Sequence, residues 1–135
     1  MADSFIANDR QAKAGFWDSA ARRSLEAPYC TACSQFFFFP RPFCPNCWSE
    51  AVTYRPVGGL GTIWSFTVVR FAHGGLTTGS RKLPFALALV TLDEGIRLMG
   101  DIVNYPLENI RSGMRVRLTY EEVGERTLPV FTPCD

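Results

Sequence analysis

Cys30-Thr31-Ala32-Cys33-Ser34-Gln35-Phe36-Phe37-Phe38-Phe39-Pro40-Arg41-Pro42-Phe43-Cys44-Pro45-Asn46-Cys47 carries four of the chain's five cysteines as two matched Cys-x-x-Cys pairs, ten residues apart. Two such knuckles can place four thiolates tetrahedrally around one ion. Zn²⁺ is the default occupant, because it takes soft sulfur ligands and imposes no geometry of its own. Cys30, Cys33, Cys44 and Cys47 are therefore the candidate ligands. A closed four-cysteine site leaves no position for substrate, so the motif argues for structure rather than catalysis. A disulfide pairing and a rubredoxin-like iron site are the alternatives. The short loop between the knuckles weighs against iron, and Cys134 stands apart as a bystander thiol.

Outward from the ribbon, composition sets the class. At 135 residues the chain is one domain or two small modules, and its 47% hydrophobic and 20% charged content is that of a soluble globular protein. The formal charge is +1 with thiols counted as neutral. Four thiolates and one Zn²⁺ bring it to about −1. Arg22, Arg23 and Arg41 are near enough in sequence to offset the cluster. A chain so near neutrality lacks the electrostatic footprint of a nucleic-acid binder. The N-terminus shows no apolar signal-peptide core, and the longest apolar run, Phe85 to Val90, is far short of the ~20 residues of a membrane span. A cytoplasmic, reducing setting is expected, where paired Cys-x-x-Cys motifs hold metal more often than disulfides.

The apolar spacing predicts a helical arm in residues 1–28, with a helix over 14–26 that Pro28 ends, Trp17, Ala20, Ala21, Ser24 and Leu25 sharing a face. The ribbon occupies 29–50. A module that short must draw most of its stability from metal ligation. In an extended ribbon the rings of Phe36 to Phe39 alternate sides, so both faces need cover. Phe16, Trp17, Phe37 and Phe39 are accordingly candidate partner contacts.

Residues 51–135 change character. Five strand-like segments follow: Leu60–Phe71, Pro84–Leu92, Gly95–Val103, Met114–Glu121 and Thr127–Phe131. Asp93-Glu94-Gly95 makes a hairpin and Pro106–Ile110 a short helical turn. The order predicts a mainly β chain: a helix, a zinc ribbon, then a five-stranded barrel of the OB type. Ile96, Leu98 and Ile102 alternate with Arg97, Met99 and Asp101. The second strand is apolar on both faces, and both must be covered. The sequence reading turns Ala86 and Ala88 outward, where their size lets something approach closely.

Catalytic groups are scarce. His73 is the single histidine and sits in a glycine-rich loop. Ser65, Ser80 and Cys134 have no evident base, and Asp93-Glu94 and Glu121-Glu122 fit turns and strand ends. There is no P-loop or dinucleotide fingerprint. Arg70, Arg81 and Lys82 flank the glycine loop as candidate contacts for phosphates, of coenzyme A or of a nucleic-acid backbone. The outward residues Ala86, Ala88, Arg97, Met99 and Asp101 offer no stacking platform for single-stranded nucleic acid.

The succession of Cys30-Thr31-Ala32-Cys33, Phe38-Phe39-Pro40-Arg41, Cys44-Pro45-Asn46-Cys47, Gly61-Thr62-Ile63-Trp64-Ser65-Phe66-Thr67, Pro84–Val90, Asp93–Leu98 and Gly113–Val116 resembles the zinc-ribbon/OB-fold proteins first catalogued as a domain of unknown function and called acyl-CoA-associated. The resemblance spans roughly residues 15–132. It implies a non-catalytic, zinc-binding subunit in a hetero-oligomer with a thiolase-like enzyme, similar to small subunits of thiolases, acyltransferases and steroid side-chain aldolases. The larger partner would hold the catalytic residues, and this chain would help enclose coenzyme A. The apolar run lengths and the charge balance, for their part, lead to an expectation of no membrane and no nucleic-acid partner. Two other classes stay open on the residues alone: a single-stranded nucleic-acid module and a stand-alone acyl-CoA carrier.

Overall fold

The computed structural model describes residues 13–71 and 83–134. Arg81, Lys82, His73 and Ser80 lie outside them. The chain forms two compact units. The first runs through Gly58 and includes Glu94–Ile96; the second comprises Gly59–Asp93 and the chain from Arg97 onward.

In the first unit, residues 13–21 are helical (α1). The helix stops well before Pro28, because Arg23 turns left-handed at φ 57°. The Arg23 amide bonds to the Ala20 carbonyl and the Ser24 amide to the Ser19 carbonyl. That pair is a Schellman closure, normally built on glycine. The buried face of α1 is Phe16, Ser19 and Ala20, an i, i+3, i+4 stripe, while Trp17 and Ala21 are exposed. The expected face was thus displaced by one residue. The Ser19 hydroxyl is fully buried; it donates to the Phe16 carbonyl (2.6 Å) and accepts from the Glu26 amide (3.0 Å). This clips the helix to β1 (Glu26–Cys30), in which Pro28 is a strand residue. β1 lies between β2 (Gln35–Phe36) and β3 (Val52–Pro56), antiparallel to both. β3 therefore completes the ribbon's sheet, although by sequence it fell at the start of the barrel segment.

The second unit is a closed barrel of β4 (Leu60–Val69), β5 (Phe85–Leu92), β6 (Arg97–Ile102), β7 (Arg115–Val123) and β8 (Arg126–Pro133), in the order β4-β5-β6-β8-β7. Leu107–Asn109 form the expected turn, as a 3₁₀ helix. The five strands match their expected positions to within three residues at each end. β6 and β8 pair parallel through Ile102 and Phe131; every other pair is antiparallel. This is OB topology.

The interior holds Ile63, Val90, Leu92, Leu98, Ile102 and Val116 around the fully buried ring of Phe131. Ala88 and Gly100 are opposite one another in the β5–β6 register. A Cβ on Gly100 would stand 3.0 Å from two ring carbons of Phe131. Small residues at that rung leave room for one large ring, as close packing in a narrow barrel requires. Ala86 and Ala88 therefore point inward, which corrects the outward placement expected for them. The half-buried Phe85, Leu87 and Leu89 face outward instead.

Candidate metal centre

The first knuckle begins on the last residue of β1 and closes through a turn with Ser34 left-handed at φ 59°. The second is a tight loop. The Trp48 amide donates to the Cys44 carbonyl (2.8 Å) and the Cys44 amide to the Ser49 carbonyl (2.8 Å). The Asn46 amide points at the Cys44 sulfur (3.4 Å). These turns bring all four sulfurs within 4.8 Å of one another. Cys30 and Cys47 are 3.6 Å apart, and Cys33 and Cys44 3.7 Å. A tetrahedral zinc with Zn–S bonds of about 2.3 Å separates its sulfurs by about 3.8 Å. The donor set and its spacing fit a closed structural zinc site.

Burial of the set is uneven: Cys30 and Cys44 are buried, Cys33 half-buried and Cys47 exposed. Burial pushes the Cys44 thiol up, but the amides of Cys47 and Asn46 and the thiols of Cys33 and Cys47 outweigh it and bring it down to about 7. The Ser49 amide draws Cys47 down, yet the Cys30 thiol, burial, and the Cys33 and Cys44 thiols push it up to about 12. Burial, with the Cys30 and Cys44 thiols, raises Cys33. In the metal-free ribbon, then, only some of the protons leave readily near neutrality. An arriving ion must displace the rest.

The four phenylalanines before the second knuckle go to four surroundings. β2 is only two residues long, so the run does not alternate as an extended ribbon would. Phe36 meets Tyr29 edge-on at 5.0 Å. Phe37 is buried against Cys30 and Cys44, flanked by Cys33 and Val52. Phe38 reaches the Phe16 ring of α1 at 5.2 Å. Phe39 is 68% exposed. Phe16 and Phe37 are therefore interior residues of the ribbon unit and not the surface contacts expected of them. Trp17 and Phe39 remain on the surface.

Arg70 is exposed just past the end of β4. The exposed rings of Trp48 and Trp64 were not singled out by the sequence. Trp48, left-handed at φ 64° and 72% exposed, stacks on Phe43 at 5.2 Å. On the barrel, a bulge between Ile63 and Ser65 turns Trp64 outward, 54% exposed. The Arg97 guanidinium lies 3.9 Å over its ring. The outer face of β4 thus carries an aromatic platform, on a strand other than the two whose outward residues were expected to offer none. The run Ile63-Trp64-Ser65-Phe66, with two adjacent apolar residues interrupting an alternation, is the sequence signal for such a bulge.

Residues 17–53 match the family described as "ChsH2, rubredoxin-like zinc ribbon domain", and residues 54–121 that described as "ChsH2, C-terminal OB-fold domain". A "Probable enoyl-CoA hydratase alpha subunit" of Thermomonospora curvata is 36% identical over 87% of this chain, and a "3-oxo-4,17-pregnadiene-20-carboxyl-CoA hydratase alpha subunit" of Mycobacterium tuberculosis is 29% identical over 87%. This chain spans only 36% of the length of each. A "DUF35 domain-containing scaffold protein" of Methanocaldococcus jannaschii is 24% identical, with 93% of this chain and 87% of that protein aligned. Among solved structures, "Ltp2-ChsH2(DUF35) aldolase" superposes with a TM-score of 0.82 at 32% identity, over 91% of this chain and 94% of that one. Family matches over both units, with a likeness to a solved relative over nearly its full length, make this chain a member of the ChsH2/DUF35 zinc-ribbon OB-fold family.

Proposed function

We propose that the chain is the non-catalytic subunit of a thiolase-superfamily acyl-CoA enzyme that cleaves a carbon–carbon bond in a degradative pathway, working in the cytoplasm. The observation that carries this is the likeness to the ChsH2(DUF35) chain named with Ltp2 as an aldolase, which spans nearly all of both chains. The hydratase alpha subunits and the scaffold proteins among the relatives add support for an acyl-CoA setting and for a partner. The chemistry of the site agrees. Four thiolates saturate a tetrahedral zinc, so the ion braces the fold without an open position for substrate. In this reading the chain stabilises its partner and helps enclose coenzyme A, with Arg70 offering a charge to its phosphates. Arg81 and Lys82 join it by sequence position.

The test is co-expression with the thiolase-like subunit of the same host, followed by gel filtration and a cleavage assay on a β-hydroxyacyl- or β-ketoacyl-CoA. Co-elution at fixed stoichiometry, with turnover needing both chains, is expected. Separate elution, with full turnover by the larger chain alone, overturns the reading. The Trp64 platform favours one second reading, a single-stranded nucleic-acid module; tight oligonucleotide binding that falls steeply with salt would identify it.

A further inference from the structure

The outer face of β4, β5 and β6 differs from the rest of the barrel surface. The register aligns Ser65, Leu89 and Met99 in one rung and Thr67, Leu87 and Asp101 in the next. β5 is thus apolar outward as well as inward, with Leu87 and Leu89 at the centre of the face. A strand apolar on both faces is ordinarily covered on both. Yet Met99, beside Leu89, is 62% exposed, and Trp64 is turned out beside the same rung by its bulge.

Arg97 sets the charge of this face. Its guanidinium lies flat over the Trp64 ring, and its Nε donates to the Thr91 hydroxyl at 3.3 Å. Among the described residues no carboxylate pairs with it. The neighbouring Arg115, by contrast, is tied through both terminal nitrogens to Asp93, each at 2.9 Å. Arg97 is therefore oriented by its own unit, with no carboxylate among the described residues compensating its charge. Tryptophan, methionine and arginine around an aliphatic centre is the composition enriched at the cores of protein interfaces. A nucleic-acid groove would need a row of free cations along the backbone. Here Arg115 is already neutralised, and the acid Asp101 shares the face.

The geometry points to this face as the dock for the partner subunit, which would present an apolar patch with a carboxylate over Arg97. The inference rests on the subunit reading above and deepens it by naming the surface and its charge. The Phe43–Trp48 stack on the ribbon is the contrasting surface: each ring is partly covered by the other, and it serves as the control.

The experiment uses the full zinc-loaded chain and the purified thiolase-like subunit of its host, with affinity measured by calorimetry. Met99→Asp is expected to weaken binding by about 100-fold, as loss of a central contact does. Arg97→Glu should weaken it by about 10- to 100-fold. Trp48→Ala should stay within about threefold, as peripheral contacts do. Met99 and Arg97 are exposed, so zinc content and the thermal midpoint should hold in each variant, which separates docking from folding. If the wild type binds and both face variants bind equally well, the face is wrong while the subunit reading stands. If the wild type does not bind that subunit, both fall together. If sedimentation shows a dimer of the chain alone that Met99→Asp dissolves, the face belongs to a second copy and the inference is overturned.

Discussion

The barrel encloses Phe131 of β8 with aliphatic side chains drawn from the other four strands. Around its sulfurs the ribbon has Phe37 and the half-buried Val52, and the other buried apolar residues of its unit, among those described, are Phe16, Ala20, Leu25, Ala27, Pro28, Pro40 and Ile96, four of them alanine or proline. One unit coheres by burial and the other by ligation. Ligation allows the ribbon features that a core of this size could not stabilise alone. Three non-glycine residues, Arg23, Ser34 and Trp48, hold left-handed backbone there, and each such residue costs roughly 1–2 kcal/mol. Among the described residues of the barrel unit, Asn104 is the one of this kind. A structural zinc worth an apparent ~10–16 kcal/mol is large enough to carry that strain.

The sharpest way to break the comparison is to take the ion away. Cys44→Ser, or a strong chelator, should lower the ribbon's stability and its amide protection while the barrel keeps its own, as read residue by residue by hydrogen exchange. If the whole chain melts as one, the two units do not have separate sources of stability. The converse is Phe131→Ala, which empties the centre of the barrel and should cost about 3–5 kcal/mol in urea unfolding. Zinc content should stay at one ion per chain. Loss of zinc in that variant would mean the barrel also holds up the metal site.

A smaller effect tests a clip inside the ribbon unit that metal does not supply, the Ser19 bridge between α1 and β1. Ser19→Ala leaves the part-buried Glu26 amide without its acceptor, at about 1 kcal/mol. The loss should show in the unfolding transition of the ribbon, with the barrel transition unmoved. An unchanged ribbon transition would mean that the ion alone sets stability there.

The same contrast explains what the sequence disclosed. The metal site was legible in full, because four ligands in two fixed spacings leave little freedom. The barrel strands were legible from alternation and from Asp93-Glu94-Gly95 and the turn at Pro106. Three things were not. The end of α1 was hidden because its closing residue is Arg23, where glycine is the usual signal. The facing of β5 was hidden because a strand apolar on both sides carries no periodic signal; only the volume of Phe131, thirty-one residues past Gly100, assigns Ala88 inward. The fates of Phe36 to Phe39 were set by tertiary contacts with Tyr29, the cysteines and Phe16, which no local pattern encodes.

The least perturbing measurement concerns protons at the metal site. In the metal-free ribbon Cys44 titrates at about 7, while Cys47 is held up at about 12. Zinc replaces whatever protons the four thiols carry. Cys47 gives up a whole proton at any ordinary pH, and Cys33, also raised, behaves likewise. Cys44 gives up one below its midpoint and none above it. Calorimetric loading in two buffers of different ionisation enthalpy should therefore count fewer protons released per zinc as pH rises from about 6 to about 8, with Cys44 supplying about one of the difference. The sign for stability follows. The metal-dependent stability of the ribbon rises with pH through the ordinary range, because Cys47 and Cys33 still carry protons there, and it falls more steeply below the Cys44 midpoint, while the barrel should hold through the same range. A proton count that does not change with pH would remove the Asn46 and Cys47 amides as the cause of the Cys44 shift. It would leave burial, which acts the other way, as the dominant influence on that sulfur.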